Sequence, residues 1–415
     1  MTVPAKSAPT TVDVIIVGGG LVGLSLAAAL GQAGLSVVVV DREVPALAAA
    51  DRFDGRASAI AWGSAQALGG IGLWPMLAPH AQAIDDIRVS DGDSTLFLHY
   101  DHRELGDHPL GYIVENRHIR RALYAHVAAI ATLRLLAPAS VQALRPEPGA
   151  IVARLEGGVE IRASLAIACD GRNSPTRAQA RIATTRWDYP QTGIVCSIGH
   201  ELSHAGVAHE RFLPAGPFAV LPLPDAADGG HRSSIVWTER QELAPAMMAL
   251  GDEEFAGEIA LRFGGSLGRI VVAGPRWAYP LGLLQAATYI APRLALAGDA
   301  AHAIHPIAGQ GLNLGLRDVA ALAECVVDAS RLGLDIGSVD VLRRYERWRR
   351  FDNLVLLAAT DGLNRLFSND IAPLRVARDL GLGAVNNLPP LKRFFMRHAM
   401  GVVGDLPRLV RGEAL

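Results

Sequence analysis

Lysine is almost absent from this chain of 415 residues, occurring only at Lys6 and Lys392, so arginine carries nearly all of the positive charge. Basic and acidic residues balance at 39 against 41, a net charge of −2 with no basic surplus of the kind that holds nucleic acid. Cysteine is scarce too. Cys169, Cys196 and Cys325 lie far apart, with no CxxC pair and no histidine at metal-ligand spacing, which argues against a disulfide framework or a zinc site and fits a reducing cytoplasm. No segment offers the ~20 uncharged apolar residues that a membrane helix needs. The opening MTVPAKSAPTT lacks the basic and then apolar build of an export signal. A cytoplasmic protein with no nucleic-acid partner and no metal is therefore expected, with any membrane contact of the peripheral kind.

What the chain does have is apolar bulk. Half of it is hydrophobic (50%) and the mean hydropathy is +0.24, enough to bury a large core in a two-domain protein. The run VDVIIVGGGLVGLSLAAALGQAGLSVVVVDR at 12–42 reads as strand, glycine turn, helix and strand. Both strands are apolar on both faces, as in a buried parallel βαβ unit. In the turn, Gly18, Gly20 and Gly23 serve the tight bend, the close approach to a pyrophosphate and the contact between helix and strand, while the helix N-terminus favours phosphate charge. Asp41 ends the second strand, where a carboxylate accepts from ribose hydroxyls. The pattern predicts a dinucleotide site and does not by itself separate FAD from NAD.

Two later segments supply more of such a site. IVARLEGGVEIRASLAIACDG folds back about Gly157-Gly158 and delivers Asp170 at the end of an apolar strand; RLALAGD at 293–299 reads as another buried parallel strand, ending in Gly298-Asp299. A glycine-rich turn and a helix follow in AAHAIHPIAGQGLNLGLRD. Between the two, from about 185 to 285, period-two strands with Pro and Gly boundaries predict an antiparallel sheet with one helix near 251–263. Residues 51–78 read as a loop and a short helix ending at Pro75, and 115–130 as a helix. After 311 the chain reads as helical, with a second helix near 338–367 and a basic, apolar segment at 371–401 broken by Pro389-Pro390. The expected architecture is α/β: a nucleotide domain in two pieces, 1–184 and 286–370, an inserted β-sheet substrate domain at 185–285 and a helical tail at 371–415.

GGGLVG, Asp41-Arg42, Arg56 in DGRASAIA, DGRNSPTR and GDAAHAIHPIAGQGLNLGLRD together resemble the class A flavoprotein aromatic hydroxylases, and along essentially the whole chain the ubiquinone-biosynthesis hydroxylases, above all their 2-polyprenyl-6-methoxyphenol hydroxylase branch. The resemblance implies a Rossmann-like FAD-binding domain of the para-hydroxybenzoate hydroxylase type. It implies an FAD enzyme that consumes NADH or NADPH and O₂ to hydroxylate a polyprenylated phenol. Asp299 would accept from a ribityl hydroxyl, and the backbone from Ala308 to Asn313 (with Gly309, Gln310, Gly311 and Leu312) would face the pyrimidine side of the flavin, where a helix N-terminus steadies negative charge. Pro306 would lie at the flavin edge beside the substrate. Asp170 would orient Arg56 or Arg177, and Arg42, Arg56 and Arg120 would reach phosphate, adenosine or flavin. His302 and His305 are candidates to move the phenolic proton. The leucine-, valine- and proline-rich strands at 213–223 and 278–290 would line an apolar channel, and the 371–401 segment suggests contact with the inner face of the membrane or with other ubiquinone-biosynthesis proteins. Two other chemistries use the same fold: hydroxylation of a small soluble aromatic acid, which would want Arg211, Arg232 or Arg240 in the substrate sheet, and O₂-independent reduction of isoprenoid double bonds.

Overall fold

In the computed structural model, which describes residues 10–45, 55–92, 94–305, 309–369 and 371–415, the apolar N-terminal run becomes strand β1 (Thr10–Val17), helix α1 (Leu21–Gln32) and strand β2 (Val37–Val40). The chain continues through β3 (Ala57–Ala61), α2 (Trp62–Gly70), β4 (Ala81–Ile84), β5 (Asp86–Asp91), β6 (Phe97–Asp101), β7 (Gly111–Glu115), α3 (Asn116–Ala128), β8 (Leu133–Leu136), β9 (Val141–Glu147), β10 (Ala150–Leu155) and β11 (Glu160–Ala168). Next come α4 (Pro175–Gln179), β12 (Thr184–His200), β13 (Val207–Leu213), β14 (Gly216–Leu223), β15 (His231–Arg240), α5 (Asp252–Phe263), β16 (Trp277–Ala286) and β17 (Leu294–Leu296). The rest is largely helical: α6 (Gln310–Arg331), α7 (Val339–Phe367), α8 (Ala372–Asn387) and α9 (Pro389–Ala399).

β17, β11, β1, β2 and β8 lie side by side in parallel. Val14, Ile15 and Ile16 in β1 expose nothing, because α1 and α6 cover one face and the rest of the domain the other. α1 is wedged between sheet and helices, so leucine, alanine and glycine suit it better than a polar face would. A nine-stranded sheet forms the second layer, with β16, β12, β15, β14, β13, β5 and β6 in order. Its outer face packs under α5: Phe255 and Ile259 are sealed against Phe218, Ile235 and Trp237. Three acidic residues in the first turn of α5, Asp252, Glu253 and Glu254, complement the positive end of the helix.

Several elements depart from the sequence reading. The second sheet is not confined to 185–285: β5 pairs in parallel with β13 and brings β6 with it. A small sheet, β3–β7–β4, joins the two lobes. The 51–78 stretch contains β3, and Pro75 sits in the first turn of a short helix, Trp74–Leu77, rather than at its end, since proline is tolerated where no amide is needed. The tail also folds back onto the nucleotide lobe. The Gly63 amide donates to the Met400 carbonyl (2.9 Å), the Arg408 amide to Glu324 Oε2 (2.7 Å), and Leu409 and Val410 enter the main core. Phe255→Ala should empty a space in the second layer and cost about 3–5 kcal/mol, read as a lower denaturation midpoint; an unchanged midpoint contradicts this packing.

Candidate active site

β1 ends at Val17 and the chain bends at once into α1. Gly18 holds φ +104°, and a Cβ there would lie 2.4 Å from the Cys169 carbonyl oxygen; one on Gly23 would lie 2.0 Å from the Gly18 oxygen. No other residue fits either position. Beside Gly20, at the helix N-cap, the space is open, which leaves bare amides and a positive helix end facing outward. Asp41 accepts from the Gly19 amide and from the Glu43 amide (2.6 Å), so turn and acidic strand end meet. Tyr124 on α3 lies in the same neighbourhood: burial raises its hydroxyl, Asp41 and Glu43 raise it further, and Arg120 opposes them. Arg42 is exposed next to Asp41.

β11 delivers Asp170 beside this turn, with the Cys169 amide on the Val17 carbonyl (2.7 Å). One Asp170 oxygen, Oδ2, accepts from the Thr176 amide at the start of α4 (3.0 Å); the other is buried with no partner. The expected pairing with Arg56 or Arg177 is replaced by this cap. Arg177 instead donates to the carbonyls of Arg172 and Ala300, both at 2.8 Å, and so clasps the loop after β11 to the loop after β17. Arg56 is exposed, its guanidinium 5.5 Å from the Trp277 ring centre.

In the loop after β17, Gly298 holds φ +59° against Val22, and its amide donates to Asp318 Oδ2 (3.0 Å). Asp299 is accessible to water yet densely walled by protein, and that desolvation pushes its carboxyl up while His302 and Arg172 pull it down. An accessible carboxylate with protein on most sides marks the floor of a cleft. Pro306 lies outside the described residues, as does Ala308. Gly309 forms the N-cap of α6 against Ala59, and Asn313 ties α6 to β3, donating to the Ala59 carbonyl (3.0 Å) and accepting from the Ala61 amide (2.9 Å). Gln310 is buried, Leu312 half-buried, and Gly311 faces open space. The three motifs thus meet outside the C-terminal ends of β1, β11 and β17, where open α/β sheets bind nucleotides.

The two histidines separate. His302 is buried with Nε2 2.5 Å from Asp318 Oδ2; Arg349 donates through Nε to the other Asp318 oxygen (2.9 Å), through Nη1 to Asp352 (2.8 Å) and through Nη2 to Asn353 (2.8 Å). This network engages the His302 ring with Asp318. Burial alone would raise Asp318; His302 and Arg349 overcome it and hold the carboxyl down at about 2. His305 exposes nothing, and neither ring nitrogen has a partner. Burial pushes it down to about 4 against the pull of Asp361, so it is neutral near pH 7. Its ring meets Tyr189 edge-on at 5.3 Å, and the Tyr189 hydroxyl donates to Asp361 (2.7 Å) in the wall of a groove of about 960 Å³. Sequence reasoning missed Asp318, Arg349 and Tyr189. The available signal was a charge on the buried face of α6, set among Leu316, Val319 and Leu322.

Residues 11–350 match the family described as FAD binding domain. Over 412 residues the chain is 52% identical to the ubiquinone hydroxylase UbiL of Rhodospirillum rubrum, spanning 99% of this chain and 95% of that protein. It is 36% identical over 394 residues to the 3-demethoxyubiquinol 3-hydroxylase of Escherichia coli, 94% of this chain and 98% of that one. The crystal structure of the p-nitrophenol 4-monooxygenase PnpA of Pseudomonas putida aligns with a TM-score of 0.77 over 94% of this chain and 98% of that one; at 22% identity the likeness is one of fold.

Asp318→Asn should strand a buried arginine and cost about 3–5 kcal/mol. Because the folded carboxyl is depressed, its stabilisation is present above the ordinary aspartate range and fades as pH falls from there toward about 2. Melting temperatures followed over that interval should show a shallower acid loss in the variant; parallel curves contradict the assignment.

Proposed function

This chain belongs to the FAD-binding-domain family that includes the ubiquinone hydroxylases, and from that membership we propose that it hydroxylates the aromatic ring of a polyprenylated phenol in ubiquinone biosynthesis, with FAD as cofactor and NAD(P)H and O₂ as co-substrates. The observation that carries the reading is the convergence of Gly18–Gly23, Asp170 and Gly298-Asp299 on one cleft in a chain 52% identical to a ubiquinone hydroxylase.

The residues fit the cofactor. Gly18 and Gly23 form a cradle that a Cβ would fill, Asp170 keeps a buried oxygen without a partner, and Asp299 stands in an open cleft. Gly18, Gly20 and Gly23 would hold the pyrophosphate, Asp41 the adenosine ribose with Arg42 and Arg120 nearby, Asp299 the ribityl chain, and Gly309 to Asn313 the pyrimidine edge, with Arg56 reaching flavin or phosphate and Pro306 at the flavin edge beside the substrate. Bound FAD supplies the redox chemistry, taking electrons from NAD(P)H and passing one oxygen atom of O₂ to the ring. The protein positions, dries and polarises. The N-terminus of α6 favours negative charge near the ring, and Leu221, Leu223 and Ala208 of the inner sheet face, with Tyr189, Leu281 and Leu283, offer apolar walls that exclude water. Alternation sends Phe218 and Val220 to the α5 side, so only half of the 213–223 strand serves such a wall. His305 stays a candidate proton carrier.

Two of the three arginines that a soluble aromatic acid would need are committed elsewhere. Arg211 donates to the carbonyls of Arg262 and Phe263, and Arg232 pairs with Glu115 at 2.6 Å. That favours an apolar substrate. Among the described residues no helix is long and apolar enough to cross a membrane. Exposed Phe351 and Val355 on α7, Leu380 on α8, and Phe394 and Phe395 on α9 beside Arg393 and Arg397 suit peripheral contact with an anionic bilayer, from which a polyprenylphenol would be drawn, or with partner proteins of the same pathway.

Purified protein should be yellow, and a short-chain prenylphenol should raise its NAD(P)H oxidation; colourless protein, or a rate indifferent to the phenol, contradicts the reading. Gly298→Val, which drives a side chain into Val22, and Asp299→Ala should each lose FAD on dialysis and melt earlier, since bound ligand stabilises the folded state. Phe394→Ser with Phe395→Ser should weaken flotation with anionic vesicles; equal flotation counts against the membrane surface.

A further inference from the structure

β13 divides its side chains between the two faces of the nine-stranded sheet. His209 and Arg211 take the outer face: His209 meets Phe263 edge-on at 5.1 Å, and Arg211 donates to the last carbonyls of α5. Ala208, Glu210 and Phe212 take the inner face. Strand register extends the Glu210 position to Ala219 on β14, Val236 on β15, Val195 on β12 and Trp277 on β16, and on its other side to Val89 on β5, so that one carboxyl stands in a row of apolar side chains.

Its strand neighbours fix where that carboxyl lies. Ala208 packs in the cluster with Ala57 and Ala59 of β3, and Ala59 is the residue against which Gly309 and Asn313 of the α6 N-terminus rest. Phe212 stacks on Phe367 of α7, ring centres 4.2 Å apart. Glu210 therefore stands on the inner face between β3, on which the N-terminus of α6 rests, and Phe367 of α7. Trp277, at the far end of its row, lies beneath Arg56.

Among the described residues no hydrogen bond or ion pair uses a carboxylate there. Glu210 is 9% exposed, so it is buried but not sealed, and burial acting alone pushes it up to about 7. Charged groups on the elements around it are engaged with each other: Asp91 of β5 with Arg378 of α8 (2.7 Å), Glu115 of β7 with Arg232 of β15 (2.6 Å), Asp361 of α7 with Arg365 (2.9 Å), and Lys392 of α9 with Glu104 (2.5 Å). β14 contributes no charge, and β3 presents Ala57 and Ala59. A buried acid without a partner is costly, and functional sites are where such costs persist.

We infer that Glu210 receives the phenolic hydroxyl of the substrate and takes its proton, a role that rests on the phenol-hydroxylase reading above. The phenol O–H bond breaks, the electron pair stays on oxygen and conjugates into the ring, and the proton passes to the Glu210 carboxylate. The enriched ring carbon then forms a C–O bond to one atom of O₂, gained as a hydroxyl, as the O–O bond breaks; NAD(P)H has supplied the two electrons, and the other oxygen atom leaves as water with a proton from solvent. As aromaticity returns, that carbon releases its hydrogen as a proton to solvent, and the first oxygen recovers its own proton from Glu210, which restores the carboxylate. An acid that titrates close to the working pH suits both halves of this exchange.

Glu210→Gln keeps size and polarity and removes proton acceptance, and Glu210→Asp keeps the acid on a shorter stem. In the FAD-loaded protein, binding of a short-chain prenylphenol is followed by flavin absorbance, and hydroxylated product by mass spectrometry, on both sides of pH 7. Wild-type affinity and product formation should both rise with pH through about 7. The glutamine variant should keep FAD, lose both pH dependences, form product about 100-fold more slowly and divert NAD(P)H oxidation to hydrogen peroxide; the aspartate variant should retain part of the pH dependence. A glutamine variant with the wild-type profile overturns the role of Glu210 alone. Wild-type protein that hydroxylates no prenylphenol overturns the phenol reading and this role with it.

Discussion

Asp318 is the carboxylate on which the site depends, because it joins three stretches of chain that have no other reason to hold one geometry. From α6 it accepts the Gly298 amide of the loop after β17, faces His302 four residues further along that loop, and pairs with Arg349 on α7. Fully desolvated, it is tolerable only while all of these partners are present, which is why the loop, the strand end and the helix pack as one unit. The network continues through Asn353 to the Tyr289 hydroxyl (3.2 Å) and on to Gln285 (2.9 Å) of β16. A single set of polar contacts thus spans from the nucleotide lobe into the substrate sheet. Further along the same α7, Asp361 holds Tyr189 and Asn364 holds Gln191 (3.0 Å), so the helix that answers to Asp318 also sets the rim of the groove.

The chemistry of the cleft follows from what this network leaves out. Arg177 and Arg211 are turned to carbonyls and Arg232 to Glu115. His305 is held neutral by burial and Tyr189 by burial and its bond to Asp361, while burial alone brings Glu210 close to neutral pH. A flavin monooxygenase needs a dry, weakly charged space in which oxygen transfer outruns loss of oxidant to water. An apolar sheet face opposite a helix N-terminus provides one.

Much of this was legible in the sequence, for reasons that differ between elements. β1, β2, β11 and β17 are apolar on both faces and flank glycines, so strand type and parallel pairing could be read locally; α3, α5 and α7 carry a helical period long enough to be placed within a few residues. β3, β4 and β7 are only four or five residues each, and β3 reaches β7 from Ala57 to Glu115, so neither periodicity nor turn chemistry announces the small sheet they form. The attachment of β5 to β13 is longer in range still. At the site, glycines forced by backbone contact were visible, whereas His302 looked available for chemistry. Its partners, Asp318 and Arg349, lie 16 residues further on and 31 beyond that, on two helices whose contact no local pattern encodes. Glu210 was hidden for the same reason, since its isolation is a property of the whole inner face.

In the proposed reaction this cleft transfers one atom of O₂ to the ring of a prenylated phenol. The most direct measurement supplies the purified, FAD-loaded protein with NAD(P)H, a short-chain prenylphenol and ¹⁸O-labelled O₂, and reads the isotope in the product by mass spectrometry. One ¹⁸O atom is expected in each new ring hydroxyl. Product whose new oxygen comes from water, or NAD(P)H consumption with no hydroxylated phenol, would contradict it.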